Sequence, residues 1–174
     1  MVIIDNFKDA SGELGLEEIK KIIPYKEPFL FVDRVITLEK GRIIAIKNIE
    51  EDIFFKCHFV DFPIMPGTLM VEGIGQAATL LVRYNVTNQE EKDVVVYEIK
   101  EAKFKEPIFP GMQIRYDVAL LALDEKRATV QGRIYSRRTK DTFIAEALLV
   151  LVIVNKHEFR KIRKSQNDNK VGMR

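Results

Sequence analysis

Apolar residues alternate with polar ones at helical spacing early in the chain and at strand spacing soon after. The apolar residues of LEEIKKII (16–23) would share one helix face, and Pro24 would end the helix. Two runs rich in β-branched and aromatic residues follow, FLFVDRVITL at 29–38 and RIIAIKNI at 42–49. We predict a short amphipathic helix and then a pair of strands. The prolines within residues 53–66 predict extended chain and loop there.

A different pattern begins at residue 67. The segment GTLMVEGIGQAATLLVRY (67–84) lacks proline and is apolar on almost every face, which predicts one long, buried helix. A polar loop at 85–92 separates it from the remaining strand candidates. These are residues 93–99, 102–106, 113–123, 127–136 and 142–154. The order of elements predicts an α+β fold, an antiparallel sheet wrapped around one long central helix.

Composition and charge narrow the function classes. The chain has 174 residues, 47% of them hydrophobic, which suits a single domain. Its net charge of +2 argues against a dedicated nucleic-acid binder. Residues 155–174 hold seven Lys and Arg against two Asp and Glu, so the rest of the chain is mildly acidic. We predict one domain over 1–154, with 1–15 as an N-terminal extension, and a partly disordered basic tail over 155–174.

The cysteine content and the lengths of the apolar runs indicate the cellular compartment of the protein. The single Cys57 excludes an intramolecular disulfide, and one Cys with two His is too few for a zinc site from those residue types. The N-terminus lacks the pattern of a signal peptide, and the longest apolar run (147–154) is far shorter than the ~20 residues that span a bilayer. We predict a cytoplasmic protein with no metal and no membrane contact.

The predicted central helix carries one acidic residue, Glu72. A buried carboxylate needs partners or stays neutral, and Gln76 lies one turn later on the same face. The alternative is a glutamate at an exposed break in the cover of the helix. Gly67 opens this helix, where free backbone N–H groups and a partial positive charge favour an oxyanion. An ordinary turn would use the same glycine.

A histidine stands fourteen residues before that glutamate. His58 could act as a general base because the imidazole pKa lies near neutral pH, or it could be a core histidine bound to a carbonyl. Its neighbour Cys57 would point to the opposite face of an extended chain, so a Cys–His pair is disfavoured and a small apolar filler is the better interpretation of the cysteine.

Three ordered motifs resemble one known family. The segment CHFVDFPIMPGTLMVEGIGQ (57–76) is similar to the active-site signature of the (3R)-hydroxyacyl-acyl-carrier-protein dehydratases, with a His-Phe, a Pro-x-x-Pro-Gly, then the acid and the Gln in register. PYKEPFLFVDRV (24–35) resembles the early strand of that family, and AKFKEPIFPGMQI (102–114) resembles the entry to a later strand. The resemblance covers residues 16–154.

The resemblance implies a hotdog fold and a hydro-lyase that acts on 3-hydroxyacyl chains bound to acyl carrier protein, without metal or redox cofactor. It implies that His58 removes the α-proton, that the Gly67 N–H holds the thioester oxygen, and that Glu72 helps to protonate the leaving hydroxyl. Gln76 would orient Glu72, and the Cys57 N–H would contact the reacting oxygen. The acyl chain would lie in an apolar tunnel along the central helix.

The resemblance also implies a homodimer, on its own or assembled into a hexamer. Its active sites would lie at the interface, with His58 of one subunit facing Glu72 of the other. Acidic carrier proteins would be steered by a basic mouth. The candidates for that mouth are Lys100, Lys103, Lys105, Arg137, Arg138 and the tail.

Several positions depart from the family pattern. These are Tyr25, where His is common, Cys57, where Gly is usual in one branch, Val60 and Asp61, where Pro-Gly is common, and Met112, where Asp is common. Two alternatives therefore stay open, a non-catalytic acyl-binding partner subunit and an acyl-thioester hydrolase on the same fold. The second histidine, His157, is predicted to be a surface residue.

Overall fold

The computed structural model describes residues 4–137 and 141–161. Its helices are α1 (Leu16–Ile22), α2 (Ile53–Cys57) and α3 (Gly67–Asn85). Its strands are β1 (Arg34–Leu38), β2 (Arg42–Asn48), β3 (Lys92–Phe104), β4 (Gln113–Leu123), β5 (Arg127–Ser136) and β6 (Thr142–Asn155). Short 3₁₀ turns lie at Ile4–Phe7 and Gln89–Glu91, and residues 156–161 are helical.

The six strands form one antiparallel sheet in the order β1-β2-β4-β5-β6-β3. Helix α3 packs against five of these strands, from β2 to β6, and its residues from Met70 to Arg83 are buried except for Glu72. The apolar core lies between α3 and the sheet. In the part of the chain that the structure describes, no helix has the length and apolarity needed to cross a bilayer.

Two glycines set how closely α3 sits on the sheet. Tyr116 of β4 lies under Gly73 of α3, where an added Cβ would be 2.6 Å from the ring carbon Cζ and closer still to the hydroxyl. In the reverse arrangement, Ile74 of α3 lies over Gly132 of β5. In both places a large side chain packs against a glycine, which has no side chain, on the opposing element, and this allows close packing. The position of Glu72, next to Gly73, is therefore fixed against the sheet.

We expect Gly73→Ala to lower the free energy of unfolding by about 1–3 kcal/mol, because the new methyl group meets the buried Tyr116 ring. Inside a helix, alanine is by itself more stabilising than glycine, so a loss of stability in this variant would be due to the clash with Tyr116. The matched control is Gly41→Ala, where an added Cβ meets nothing within 4 Å. Thermal unfolding measures both, and equal midpoints would contradict this account of the packing.

Most of the predicted elements are confirmed, with bounds that shift by a few residues. The helices at 16–23 and 67–84 and the strands at 42–49, 113–123 and 127–136 agree closely with α1, α3, β2, β4 and β5. The first predicted strand is too long, because the chain pairs only from Arg34. Leu30, Phe31 and Val32 are buried without joining the sheet, and the Phe31 N–H is bound to the Gln76 side chain of α3.

The prediction of extended chain and loop throughout 53–66 is wrong at its start. Residues Ile53–Cys57 form α2, and the Asp52 carboxylate caps it by accepting a hydrogen bond from the Phe54 N–H at 2.8 Å. An Asp before an apolar run is a common N-cap signal. The interpretation of Cys57 as an apolar filler is also wrong, because its side chain is exposed at the end of this helix.

The strands predicted at 93–99 and 102–106 are one continuous strand, β3. It pairs with β6 over its whole length, and register shifts at Val96/Glu98 and Ile99/Glu101 absorb the irregular pattern that suggested a break. Strand β3 is the last in the sheet order, so one of its edges has no strand beside it among the described residues. Tyr97, Ile99 and Phe104 are exposed along it.

Candidate active site

Glu72 and Gln76 form a hydrogen-bonded pair on one face of α3. Their spacing of four residues places them one turn apart, and the Gln76 Nε2 donates to the Glu72 Oε1 at 2.9 Å. Gln76 is completely buried, whereas Glu72 is half-buried. Glu72 is therefore the one partly exposed residue between Met70 and Arg83 of this helix.

The segment before β1 holds Gln76 in place. The Gln76 Nε2 also donates to the Phe29 carbonyl at 2.9 Å, and the Gln76 Oε1 accepts from the Phe31 N–H at 2.8 Å. The amide is thus fixed in one orientation, with its NH₂ group toward Glu72. The rings of Phe29, Phe31 and Phe54 pack edge-on or tilted against one another and form an apolar wall beside the pair.

Burial raises the pKa of the Glu72 carboxyl above its ordinary value, and the hydrogen bond from Gln76 offsets only part of this effect. Tyr25 stands nearby, and burial together with the Glu72 charge raises the pKa of its phenol. A carboxyl with a raised pKa keeps its proton to higher pH and is suited to act as a general acid.

His58 lies at the C-terminal end of α2, in a tight loop that brings residue 64 back to it. The His58 Nδ1 lies 3.0 Å from the Ile64 carbonyl oxygen, and the His58 carbonyl accepts from the Ile64 N–H at 2.9 Å. A carbonyl only accepts hydrogen bonds, so we assign the proton of the neutral ring to Nδ1. The Nε2 then carries the free lone pair that a general base needs.

The N-terminus of α3 presents backbone N–H groups beside an aromatic ring. The helix begins at Gly67, after Pro66, without a side-chain cap. The Phe104 ring at the end of β3 lies against Gly67, where an added Cβ would be 3.2 Å from two ring carbons. Glycine thus permits the close approach of β3 to the helix end, whose partial positive charge favours an oxyanion.

Within one chain, these groups occupy three places, which are the buried face of α3, the end of α2 and the start of α3. Among residues 4–137 and 141–161, no hydrogen bond or ion pair joins His58 to Glu72. The predicted site residues Glu72 and Gln76 are brought together, His58 and Cys57 lie at the end of α2, and Gly67 opens α3. Over the same residues, no group of three or more His, Cys, Asp or Glu side chains is arranged to hold a metal ion.

The raised pKa of Glu72 has a consequence for stability. The folded state binds this proton more tightly than the unfolded state, so the free energy of unfolding falls as pH rises from the ordinary glutamate range through the folded-state pKa. Glu72→Gln mimics the protonated form and removes this contribution. We expect the parent protein to lose thermal stability relative to the variant over that pH range. A difference between the two that stays constant with pH would contradict the assignment.

Comparison with known proteins agrees with this geometry. Residues 23–147 match the model of a family described as the FabA-like domain, and these residues include all the candidate site residues. The chain belongs to the FabA-like family. The prediction of a hotdog-fold dehydratase family is thereby confirmed.

Two relatives of this chain carry the same name. The chain is 39% identical over 129 residues, covering 73% of it and 83% of the relative, to a 3-hydroxyacyl-[acyl-carrier-protein] dehydratase FabZ from Koribacter versatilis. It is 37% identical over 150 residues to the protein of that name from a Nitratiruptor species, covering 82% of this chain and 99% of the relative.

Solved structures show the same fold. The dehydratase heterocomplex ApeI:P from Xenorhabdus doucetiae has a TM-score of 0.67 at 16% identity and covers 83% of this chain and 95% of that chain. A thioesterase from Haemophilus influenzae has a TM-score of 0.61 at 15% identity, covering 82% and 92%. Because dehydratases and thioesterases share the architecture, the fold alone does not choose between them.

Sequence reasoning missed two features of this site. The backbone of Phe29 and Phe31 holds Gln76, and nothing in the sequence pattern shows that contact. The buried Tyr116 hydroxyl, which has no hydrogen-bond partner among the described residues, lies beneath the residue next to Glu72. An alternating apolar pattern in β4 predicts that position 116 faces inward, but not what it meets.

Proposed function

We propose that this chain dehydrates (3R)-3-hydroxyacyl thioesters, carried on acyl carrier protein, to trans-2-enoyl thioesters. One observation carries the proposal, namely that Glu72 has a raised pKa and is held by a fully buried Gln76, on a helix without a side-chain cap at its N-terminus. The signature that positions Glu72 also contains His58, whose Nδ1 is already occupied. The named relatives support the reaction class.

In the proposed reaction, the enzyme removes one proton from the substrate and donates another to the leaving group. The His58 Nε2 takes the proton from the α-carbon, and the developing negative charge moves to the thioester oxygen. The backbone N–H of Gly67, at the positive end of α3, stabilises that oxygen. The bond from the β-carbon to its hydroxyl then breaks, and the proton of neutral Glu72 joins the leaving hydroxide to form water. Gln76 orients Glu72, and the Cys57 N–H contacts the reacting oxygen. No metal or redox cofactor is required.

His58 and Glu72 share no hydrogen bond within residues 4–137 and 141–161, which agrees with an active site that two subunits share. Strand β3 offers a thirteen-residue edge on which a second copy could pair, and its exposed Tyr97, Ile99 and Phe104 favour burial. Such pairing would bring a second copy beside Phe104 and Gly67, at the N-terminus of α3. We therefore include in the proposal a homodimer, on its own or assembled into a hexamer.

Basic side chains surround the same end of the structure. Lys100, Lys103 and Lys105 are exposed on and after β3, near Phe104 in the chain, whose ring packs against Gly67. Lys103 pairs with Glu101 at 2.6 Å, and Arg137 is exposed at the end of β5. An acidic carrier protein would be attracted to this mouth. Arg138 and the tail residues 162–174 lie outside the described residues.

The remaining parts of the proposal concern the whole chain. Residues 1–154 act as one domain, and the basic segment 155–174 contributes to carrier binding rather than to turnover. Its first residues, 156–161, continue from β6 as a helical turn, and His157 is exposed. The reaction takes place in the cytoplasm, which fits a chain whose one cysteine is a free, exposed thiol.

The test is turnover by the purified full chain. We expect 3-hydroxyacyl thioesters on acyl carrier protein and on pantetheine to lose the mass of one water, as measured by mass spectrometry over several chain lengths. Release of free thiol without dehydration would instead identify an acyl-thioester hydrolase, a class of enzyme that shares this fold. Binding without either product would overturn the proposal in favour of a non-catalytic subunit.

A further inference from the structure

The His58 imidazole is held by one hydrogen bond among the described residues, between its Nδ1 and the Ile64 carbonyl oxygen at 3.0 Å. The torsion between the β-carbon and the ring is broad for histidine, so one such contact leaves the ring plane free to tilt. The proposed reaction requires a defined ring plane, because the lone pair of Nε2 has to point at the proton on the α-carbon. A second contact is therefore needed to orient the base.

The next residue in the chain supplies such a contact. The Phe59 ring stacks on the His58 ring, with the two ring centroids 4.0 Å apart and an angle of 28° between the ring planes. Rings this close and this nearly parallel touch over their faces, so the imidazole cannot tilt toward Phe59 without a clash. The Nδ1 contact and the stack together define the ring plane, and with it the direction of Nε2.

Phe59 is held in place by its backbone and not by burial of its ring, which leaves the residue 51% exposed. Its N–H donates to the Phe62 carbonyl at 3.1 Å, and its carbonyl accepts from the Phe62 N–H at 3.3 Å. The Phe62 ring in turn packs edge-on against Phe109, with the ring centroids 5.6 Å apart. These contacts join the loop to the segment before β4 and give Phe59 a fixed position.

The Phe59 ring lies outside the apolar core of the described residues. In the core a side chain contributes mainly through its volume, so leucine would replace phenylalanine there at a modest cost if the neighbours repack. Stacking depends instead on a flat ring with two faces, which leucine lacks. At position 59, the interaction that leucine cannot supply is therefore the face contact with His58.

We infer that Phe59 is a positioning residue for the base of the proposed reaction, because its ring holds the plane of the His58 imidazole and aims Nε2 before the substrate binds. The inference rests on the proposed function, which assigns the removal of the α-proton to His58. Phe59 itself transfers no proton. Its contribution is to keep the base in the orientation that the reaction requires, so that no binding energy is spent on ordering the ring.

The test replaces Phe59 with leucine, which keeps an apolar side chain and removes the ring. We expect kcat on pantetheine 3-hydroxyacyl thioesters to fall by about 10–100-fold with little change in KM, because a small misplacement of a reacting group has an effect of this size. Phe59→Tyr keeps the ring and should keep most of the parent kcat. The matched control is Val60→Ala, which removes an apolar group that is 92% exposed at the adjacent position of the same loop and should leave kcat unchanged. Thermal unfolding and mass measurement establish that the variants compared have the same folded and oligomeric state.

The ring contact also has a signature in NMR spectra. A proton over the face of an aromatic ring resonates upfield, so at least one carbon-bound ring proton of His58 should be shifted upfield in the parent and lose this shift in Phe59→Leu but not in Val60→Ala. The chain has two histidines, and His58→Ala identifies which signals belong to His58.

An unshifted His58 signal in the parent overturns the inference even if Phe59→Leu does not fold. Parent-like kcat in a folded Phe59→Leu variant also overturns it and leaves the dehydratase function intact, whereas no dehydration by the parent protein fails the proposed function itself.

Discussion

Replacing His58 with alanine is expected to lower kcat by about 10²–10⁴-fold, because the reaction then lacks the base that removes the α-proton. The effect should fall on kcat more than on KM, since the imidazole acts on the reacting atoms rather than on the acyl chain. The Nδ1 contact to Ile64 is lost as well, so the folded state must be checked. Steady-state kinetics together with thermal unfolding gives both quantities.

The other histidine of the chain is the matched control. His157 is exposed in the turn after β6, and its backbone N–H is bound to the Asn155 side chain, which substitution does not remove. We expect His157→Ala to keep the parent kcat on pantetheine thioesters. Full activity of a folded His58→Ala variant, or an equal loss in both variants, would show that the proposed base is misassigned.

Glu72→Gln is expected to lower kcat by a similar factor of about 10²–10⁴, because the amide has no acidic proton to give to the leaving hydroxyl. Mixing this variant with His58→Ala then tests whether two subunits share the site. In a mixed dimer, one of the two sites would combine an intact His58 with an intact Glu72. Random exchange of subunits should restore about one quarter of the parent activity.

Activity returns only if subunits of the two variants exchange, so the two variants are unfolded together and refolded before the assay. The comparison is each variant refolded alone, which should stay inactive. If the co-refolded sample forms mixed dimers by mass measurement but stays inactive, both groups belong to one chain and the shared site is wrong. Activity in Glu72→Gln alone would show that the carboxyl is not the acid.

Spacing along the chain was enough to predict the parts of the site that are local. The signature around Pro66 and Gly67 predicts where α3 begins, and the four-residue interval predicts that Gln76 meets Glu72. These relations depend only on helix geometry, which the sequence carries directly. The buried nature of α3 follows equally well from its apolar faces.

Relations between distant segments were beyond that reasoning. The exposed Cys57 ends a helix that the Asp52 side chain caps. The prolines that follow this segment favoured a prediction of loop instead. The contact between Tyr116 and Gly73 joins residues far apart in the chain, and an alternating pattern gives their faces but not their partners.

The contacts of Gln76 also bear on the order in which the site assembles during folding. The loop from His58 to Ile64 closes over six residues, which is a local event with a small entropic cost. Gln76 is bound to the Phe31 N–H across 45 residues, so the setting of Glu72 exists only after the early segment has docked on α3. Refolding chains should therefore acquire the raised pKa of Glu72 late, with the long-range contacts, and a chain in which α3 has formed without them would still be inactive.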